Sequence, residues 1–125
     1  VRAIGGGSSA LNAENASAVA AFDDATYREI WKKQVGEGTP PSVDFAKEAV
    51  VFLFAGMRNT AGYAIETRGV SLDGDALVVD AVVSGPPRGA MTAQVITYPY
   101  AIVAVTPRNF RSVRWHEASQ TSRER

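Results

Sequence analysis

The stretch "AVVFLFAG", residues 49–56, constrains the fold most strongly. It is apolar at every position, so a strand built from it needs cover on both alternating faces. Such a strand sits inside a layered domain, with packed structure on each side. The chain has 125 residues, enough to build that interior as one domain without covalent staples. Cysteine is absent, which removes disulfides, thiolate catalysis and thiolate metal sites together.

The elements around this strand follow from spacing and punctuation. "SAVAAF", residues 17–22, reads as a strand. Tyr27, Ile30, Trp31 and Val35 then recur at helical spacing and predict one helix over about 24–35. Asp23 or Asp24 can accept from the free amides at its start, and Thr26 with Glu29 offers a capping box. Lys32 and Lys33 suit its negative end, and Gly36, Gly38, Pro40 and Pro41 stop it. "YAIETRGVSL" puts Tyr63, Ile65 and Thr67 on one face and Glu66 and Arg68 on the other. Asp73-Gly74 signals a tight turn into "ALVVDAVVS", where Leu77, Val79, Ala81 and Val83 share a face and Asp80 marks the wet one. "AQVITY", "YAIVAV" and "SVRW" complete the strand set. Short turns between successive strands imply antiparallel pairing.

The expected fold is therefore α+β and mainly β: an antiparallel sheet, closed as a sandwich or curled barrel, with one helix packed on it near the N-terminus. Val51, Phe52, Leu53, Phe54, Ile65, Val79, Ile102, Val103 and Val105 are the expected core. Residues 1–16, rich in Gly, Ser, Ala and Asn, read as a flexible lead-in with a short strand at 1–4. Residues 118–125 read as a frayed polar tail. The chain opens on Val1 rather than Met, as a processed or trimmed form does. A signal peptide or lipid anchor would then lie upstream.

Charge excludes whole classes of partner. Thirteen Lys and Arg balance thirteen Asp and Glu. A nucleic-acid binder needs an excess of cations to displace counterions from phosphates, and a polybasic membrane-surface protein needs the same excess. Neither is expected here. No apolar stretch is long enough to cross a bilayer.

Catalytic readings find little support in the residues. "GMRNTAGY", residues 56–63, has the glycines of a phosphate loop but no lysine, and a strand rather than a helix follows it. The alternative is a strand-to-strand reversal in which Gly56 and Gly62 give backbone freedom and Arg58, Asn59 and Thr60 form an exposed tip. His116 is the only histidine, so every Ser-His-acid arrangement must use it, and no Gly-x-Ser-x-Gly elbow is present. Asp44, Glu48, Glu66, Asp75 and Asp80 lack calcium-loop spacing and read as solvated face charges, although a carboxylate pair can form in space. No catalytic residue, metal ligand or cofactor is expected. "TYPY", residues 97–100, sets two amphipathic rings around a proline, either at a half-buried strand junction or as interface anchors.

Taken in order, "VDFAKEAVVFLFAGMRNTAGYAIETRGV", "LVVDAVVSGPPRG" and "VITYPYAIVAVTP" resemble the C-terminal domain of the PrcB family of protease-complex subunits. The family pattern runs from a helix ending in Trp through an Asp-Phe pair and an apolar strand ending in Gly. A Thr-Gly-Gly-Tyr-like turn and a Tyr-Pro segment follow. Here these map to Trp31, Asp44 and Phe45, Gly56, the run 60–63 and Tyr98-Pro99, with Ala61 in place of the first turn glycine. The resemblance covers about 22–115 and makes 17–117 one PrcB-like domain. It implies a non-enzymatic, extracytoplasmic module that binds and stabilises a protein partner, such as a secreted protease. The protein-binding candidates are Arg58, Asn59, Thr60, Gly62, Tyr63, Tyr98, Pro99 and Tyr100. An exposed sheet edge is the other way to bind a partner, and it would also permit a homodimer. Two readings stand beside this one. A small-molecule or glycan-binding envelope domain would stack its ligand on Tyr63, Tyr98, Tyr100 and Trp115. An enzyme would need His116 or a carboxylate pair inside a cleft.

Overall fold

The computed structural model describes residues 2–11, 14–36, 38–87, 89, 91–106 and 109–118, the last three of these without their side chains. The elements are β1 (Arg2–Gly7), β2 (Ser17–Ala21), α1 (Asp24–Gln34), β3 (Ala49–Phe54), β4 (Ala64–Asp73), β5 (Ala76–Ser84), β6 (Tyr100–Val105) and β7 (Ser112–Ala118). They form a four-stranded sheet of order β1-β6-β3-β2 and a three-stranded sheet of order β4-β5-β7. The sheets face each other and do not close into a barrel.

β3 is the double-faced strand that its sequence requires, buried at all six positions. Ala49, Val51 and Leu53 point to the second sheet and meet Leu77, Val79 and Ala81 of β5, with Val103, Val105 and Phe110. Val50, Phe52 and Phe54 point the other way and meet Tyr27 of α1, with Ile30, Trp31 and Val35 packed around them. The result is three layers: helix, four-stranded sheet, three-stranded sheet. Of the expected core, only Ile65 is half-buried, packed at the margin of the cluster between the sheets.

The helix is held as its ends suggest. Asp23 is the N-cap and accepts from the Thr26 N–H at 2.7 Å and from Thr26 Oγ1–H at 3.1 Å. The basic residues Lys32 and Lys33 lie in the last turn. Tyr27 is anchored by donating from its hydroxyl to the Pro41 carbonyl at 2.8 Å.

Four expectations are corrected. The short strand expected at 1–4 runs further, over residues 2–7, as an edge strand on β6 with a bulge between Ala3 and Gly5. Residues 93–96 are not in a strand, and Thr97 and Tyr98 make only isolated bridges. "GMRNTAGY" is not a hairpin tip: β3 and β4 lie in different sheets, so residues 55–63 carry the chain across between them. β5 and β7 pair in parallel, because the chain between them visits the other sheet as β6 and returns in its original direction. The Asp73-Gly74 hairpin holds, joining β4 to β5 in antiparallel register. Residues 119–125 of the expected frayed tail lie outside the described residues.

Two measurements check this packing. Phe52 is fully buried, so Phe52→Ala should cost about 3–5 kcal/mol in urea unfolding. Trp31→Ala should cost less, because Trp31 is half-buried. The Asp23 carboxyl is held below its ordinary value, first by the Thr26 N–H and then by the Thr26 hydroxyl. Its stabilising effect is therefore present above the usual aspartate range and is lost as pH falls through the lowered value. Asp23→Ala should melt below wild type at neutral pH, and the gap should narrow in acid.

Candidate functional site

The crossing segment and the Tyr-Pro segment lie against each other. Arg58 and Thr97 exchange two backbone hydrogen bonds of 2.8 Å, as an antiparallel bridge does. Thr97 is buried, and its hydroxyl donates to the Thr60 carbonyl at 2.9 Å. Ala61 N–H donates to the Ala93 carbonyl at 3.0 Å. Below them, Ala55 N–H donates to the Pro99 carbonyl at 3.0 Å, and Met57 N–H donates to Glu14 at 3.1 Å. Together residues 56–63 and 93–98 make one ridge at the end of the sandwich.

The structure places the eight candidates as follows. Arg58 is half-buried, with its guanidinium carbon 5.5 Å from the centroid of the Tyr63 ring, within cation–π range. Its Nε is buried and has no hydrogen-bond partner among the described residues. Asn59 is exposed, Thr60 is half-buried, and Gly62 is exposed beside Pro86. The Tyr63 ring lies on Gly85, where a methyl group would come within 2.9 Å of it. Pro99 is buried. Tyr98 is half-buried against the helix-side core, and its N–H donates to Ser8 at 2.8 Å. Tyr100 packs on the same core and rests on Gly7, where a methyl group would lie 3.1 Å from the ring. The segments are thus brought together, but as a tied ridge rather than an exposed tip.

Tyr63 and Tyr100 meet in a cleft of about 690 Å³ on the open side of the sandwich. Residues 5–8 form one rim, residues 63–67 form the other, and Ala3, Ala101 and Val103 are its small apolar floor. The four rings of the stacking-surface reading do not share a site. Trp115 lines a separate cleft of about 380 Å³ between β2 and β7, on the far side, and Tyr98 lines neither. The carboxylates are dispersed too. Asp44, Glu66, Asp75 and Asp80 are exposed, and Glu48 is paired with Arg2 at 2.7 Å. The backbone of His116 pairs with Asp80 in β7, and its side chain lies outside the described residues. No group of three or more His, Cys, Asp or Glu able to hold a metal occurs among the described residues.

Sequence reasoning missed three parts of this region. Residues 5–7 were read as flexible because glycine carries no hydropathy signal, yet at Gly7 the lack of a side chain admits the Tyr100 ring. Thr97, the residue that clamps the ridge, is one small polar side chain among many. Val95 and Ile96 fall in the run 93–98, whose apolar content suggested a strand rather than a surface, and Met91 lies just before it.

Gly56 is where the crossing is tightest. Its φ is +87°, and a methyl group there would meet Ala16 N at 3.1 Å and the Glu14 carbonyl at 3.3 Å. Gly74 has φ +64° but open space around it. Gly74→Ala should therefore cost about 1–2 kcal/mol for the left-handed backbone alone. Gly56→Ala should cost more, because backbone rather than a flexible side chain must move. Equal unfolding midpoints for the two variants would show that the crossing is not tight.

No curated protein and no solved structure matches the chain. The family model described as PrcB C-terminal matches residues 49–106, from the start of β3 to one residue beyond β6. Trp31, Asp44 and Phe45, which contributed to the wider resemblance, lie outside that match. Residues 49–106 hold the double-faced strand, the crossing and the Tyr-Pro segment, and the match to the PrcB C-terminal family model spans all three.

Proposed function

We propose that this chain is a non-enzymatic module that binds a protein partner outside the cytoplasm, and that the partner belongs to a protease complex. One observation carries the binding part of this reading: the ridge exposes large apolar side chains although its backbone is tied down. On the ridge Ile96 is 59% exposed, Met57 51% and Val95 50%, and Met91, two residues before its second segment, is 99% exposed. Among the described residues three other large apolar side chains are exposed, Leu11, Val19 and Leu72, and these lie on other segments. Single exposed apolar residues are ordinary, whereas several on one segment pair fit a docking surface. Backbone alternation about the Arg58–Thr97 bridge puts Met57 and Ile96 on the same side. The same alternation turns Arg58 with the buried Thr97 to the opposite side, where its guanidinium meets the Tyr63 ring. The PrcB C-terminal match supports the protease-complex part.

Capture from the secreted and envelope fractions of the source organism tests the reading. A protease should be retained by the wild-type domain, and the double substitution Met91→Ser with Ile96→Ser should weaken its binding about tenfold or more. The melting temperature should hardly change, since both side chains are already in solvent. Retention undiminished by the double substitution would contradict the ridge as the docking surface.

A further inference from the structure

The cleft between β1 and β4 has an unusual lining. Residues 5–8 line it consecutively, and so do residues 63–67. A strand that met the cleft with one face would contribute every second residue. Consecutive lining residues show that both strands present their backbone edges to the same space. Those edges are the unpaired ones: β1 ends the first sheet beyond β6, and β4 ends the second beyond β5. Two rows of unsatisfied N–H and C=O groups therefore flank one opening.

The space between the edges suits a main chain better than a folded surface. Its floor is Ala3, Ala101 and Val103, and the β1 rim is glycine at residues 5–7. The rings of Tyr63 and Tyr100 also line it, Tyr100 against Gly7, and at Gly6 no side chain lies within 4 Å of where a methyl group would stand. Residues 63–67 match about five residues of an extended strand, roughly 17 Å at the usual rise. The opposite open side, between β2 and β7, holds about 380 Å³ against about 690 Å³ here.

Charge narrows the occupant. Glu66 is the one charged side chain lining the cleft among the described residues. Its neighbour Arg68 lies 3.4 Å away, but both side chains are largely exposed, so the pairing is weak and leaves the carboxylate free to take a second cation.

The geometry points to the β1–β4 cleft as a receptor for an extended peptide segment of a partner protein, which pairs its main chain with the two free edges and sets a lysine or arginine against Glu66. Main-chain pairing gives the affinity, and the small floor with the single carboxylate gives the selection. The segment bridges the sheets and closes the open side of the sandwich. This rests on the protein-binding reading only in taking a polypeptide as occupant, since the exposed apolar side chains of the ridge are not among the residues lining the cleft.

Nine-residue capped peptides alternating serine and valine, with either lysine or glutamate at the centre, test the proposal against the whole chain. The lysine peptide should bind at least tenfold more tightly than the glutamate peptide by fluorescence anisotropy. It should slow amide exchange in residues 5–7 and 64–67. Glu66→Lys should reverse the order of the two peptides. Ala3→Trp, which fills the floor from an exposed position, should abolish binding with an unchanged melting temperature. The Met91→Ser, Ile96→Ser double variant should bind the lysine peptide as wild type does, which separates this site from the ridge. The proposal is overturned if neither peptide binds, if Ala3→Trp and Glu66→Lys leave affinity unchanged, or if the ridge variant abolishes peptide binding. It is also overturned if the free protein is a dimer with these same amides already protected, for then a second copy occupies the cleft.

Discussion

The burial of β3 on both faces is the constraint on which the rest depends. A strand with no polar face cannot sit at a surface, so it demands two covers. One is the helix with Tyr27 at its centre, and the other is the sheet led by Leu77, Val79 and Ala81 of β5. Sheets stacked face to face without closing leave two open sides, and strand edges remain at both. The same constraint shapes the crossing. Leaving β3 for the second sheet turns the chain sharply between neighbouring backbones, which is why Gly56 stands with backbone atoms on its free side.

Much of this was legible because it is local. Hydropathy at successive positions gives β3. The stripe Tyr27, Ile30, Trp31 and Val35 gives the helix, Asp23 gives its cap, and Asp73-Gly74 gives the hairpin. What was not legible is what depends on distant partners. Nothing in "SVRW" distinguishes a parallel from an antiparallel neighbour; the direction of β7 follows from β6 lying in the other sheet. Three consecutive glycines read as loose chain, because sequence does not show what lies close against them: Ile102 and Trp31 at Gly5, the β6 backbone at Gly6 and the Tyr100 ring at Gly7. "AQVITY" has strand composition, yet residues 93–96 are in no ladder, and the segment is tied to the crossing at Ala93 and Thr97. The candidate site shows the same division. "GMRNTAGY" and "TYPY" were both picked out from residue type, but their union through Thr97 is a tertiary fact.

The two surfaces differ in the physics of recognition. The ridge is a fixed backbone carrying exposed side chains, so its contribution comes from apolar area removed from water. The cleft offers two free backbone edges, so its contribution comes from main-chain hydrogen bonds to an extended segment, with Glu66 favouring one that carries a cation. A partner that uses both would gain affinity from the first and orientation from the second. Tyr63 stands where the two adjoin, touching Arg58 on the ridge side and lining the cleft on the other.

Residue-resolved hydrogen exchange on the isolated monomer tests this arrangement most directly. Amides of Val50, Val51, Phe52 and Leu53 should exchange only when the whole domain unfolds, because β3 is paired on both edges and covered on both faces. Amides on the free edges of β1 and β4 should exchange far faster. If β3 exchanged as fast as those edges, or if β1 and β4 were protected as strongly as β3 throughout, a doubly covered central strand between open edges would be the wrong description of this protein.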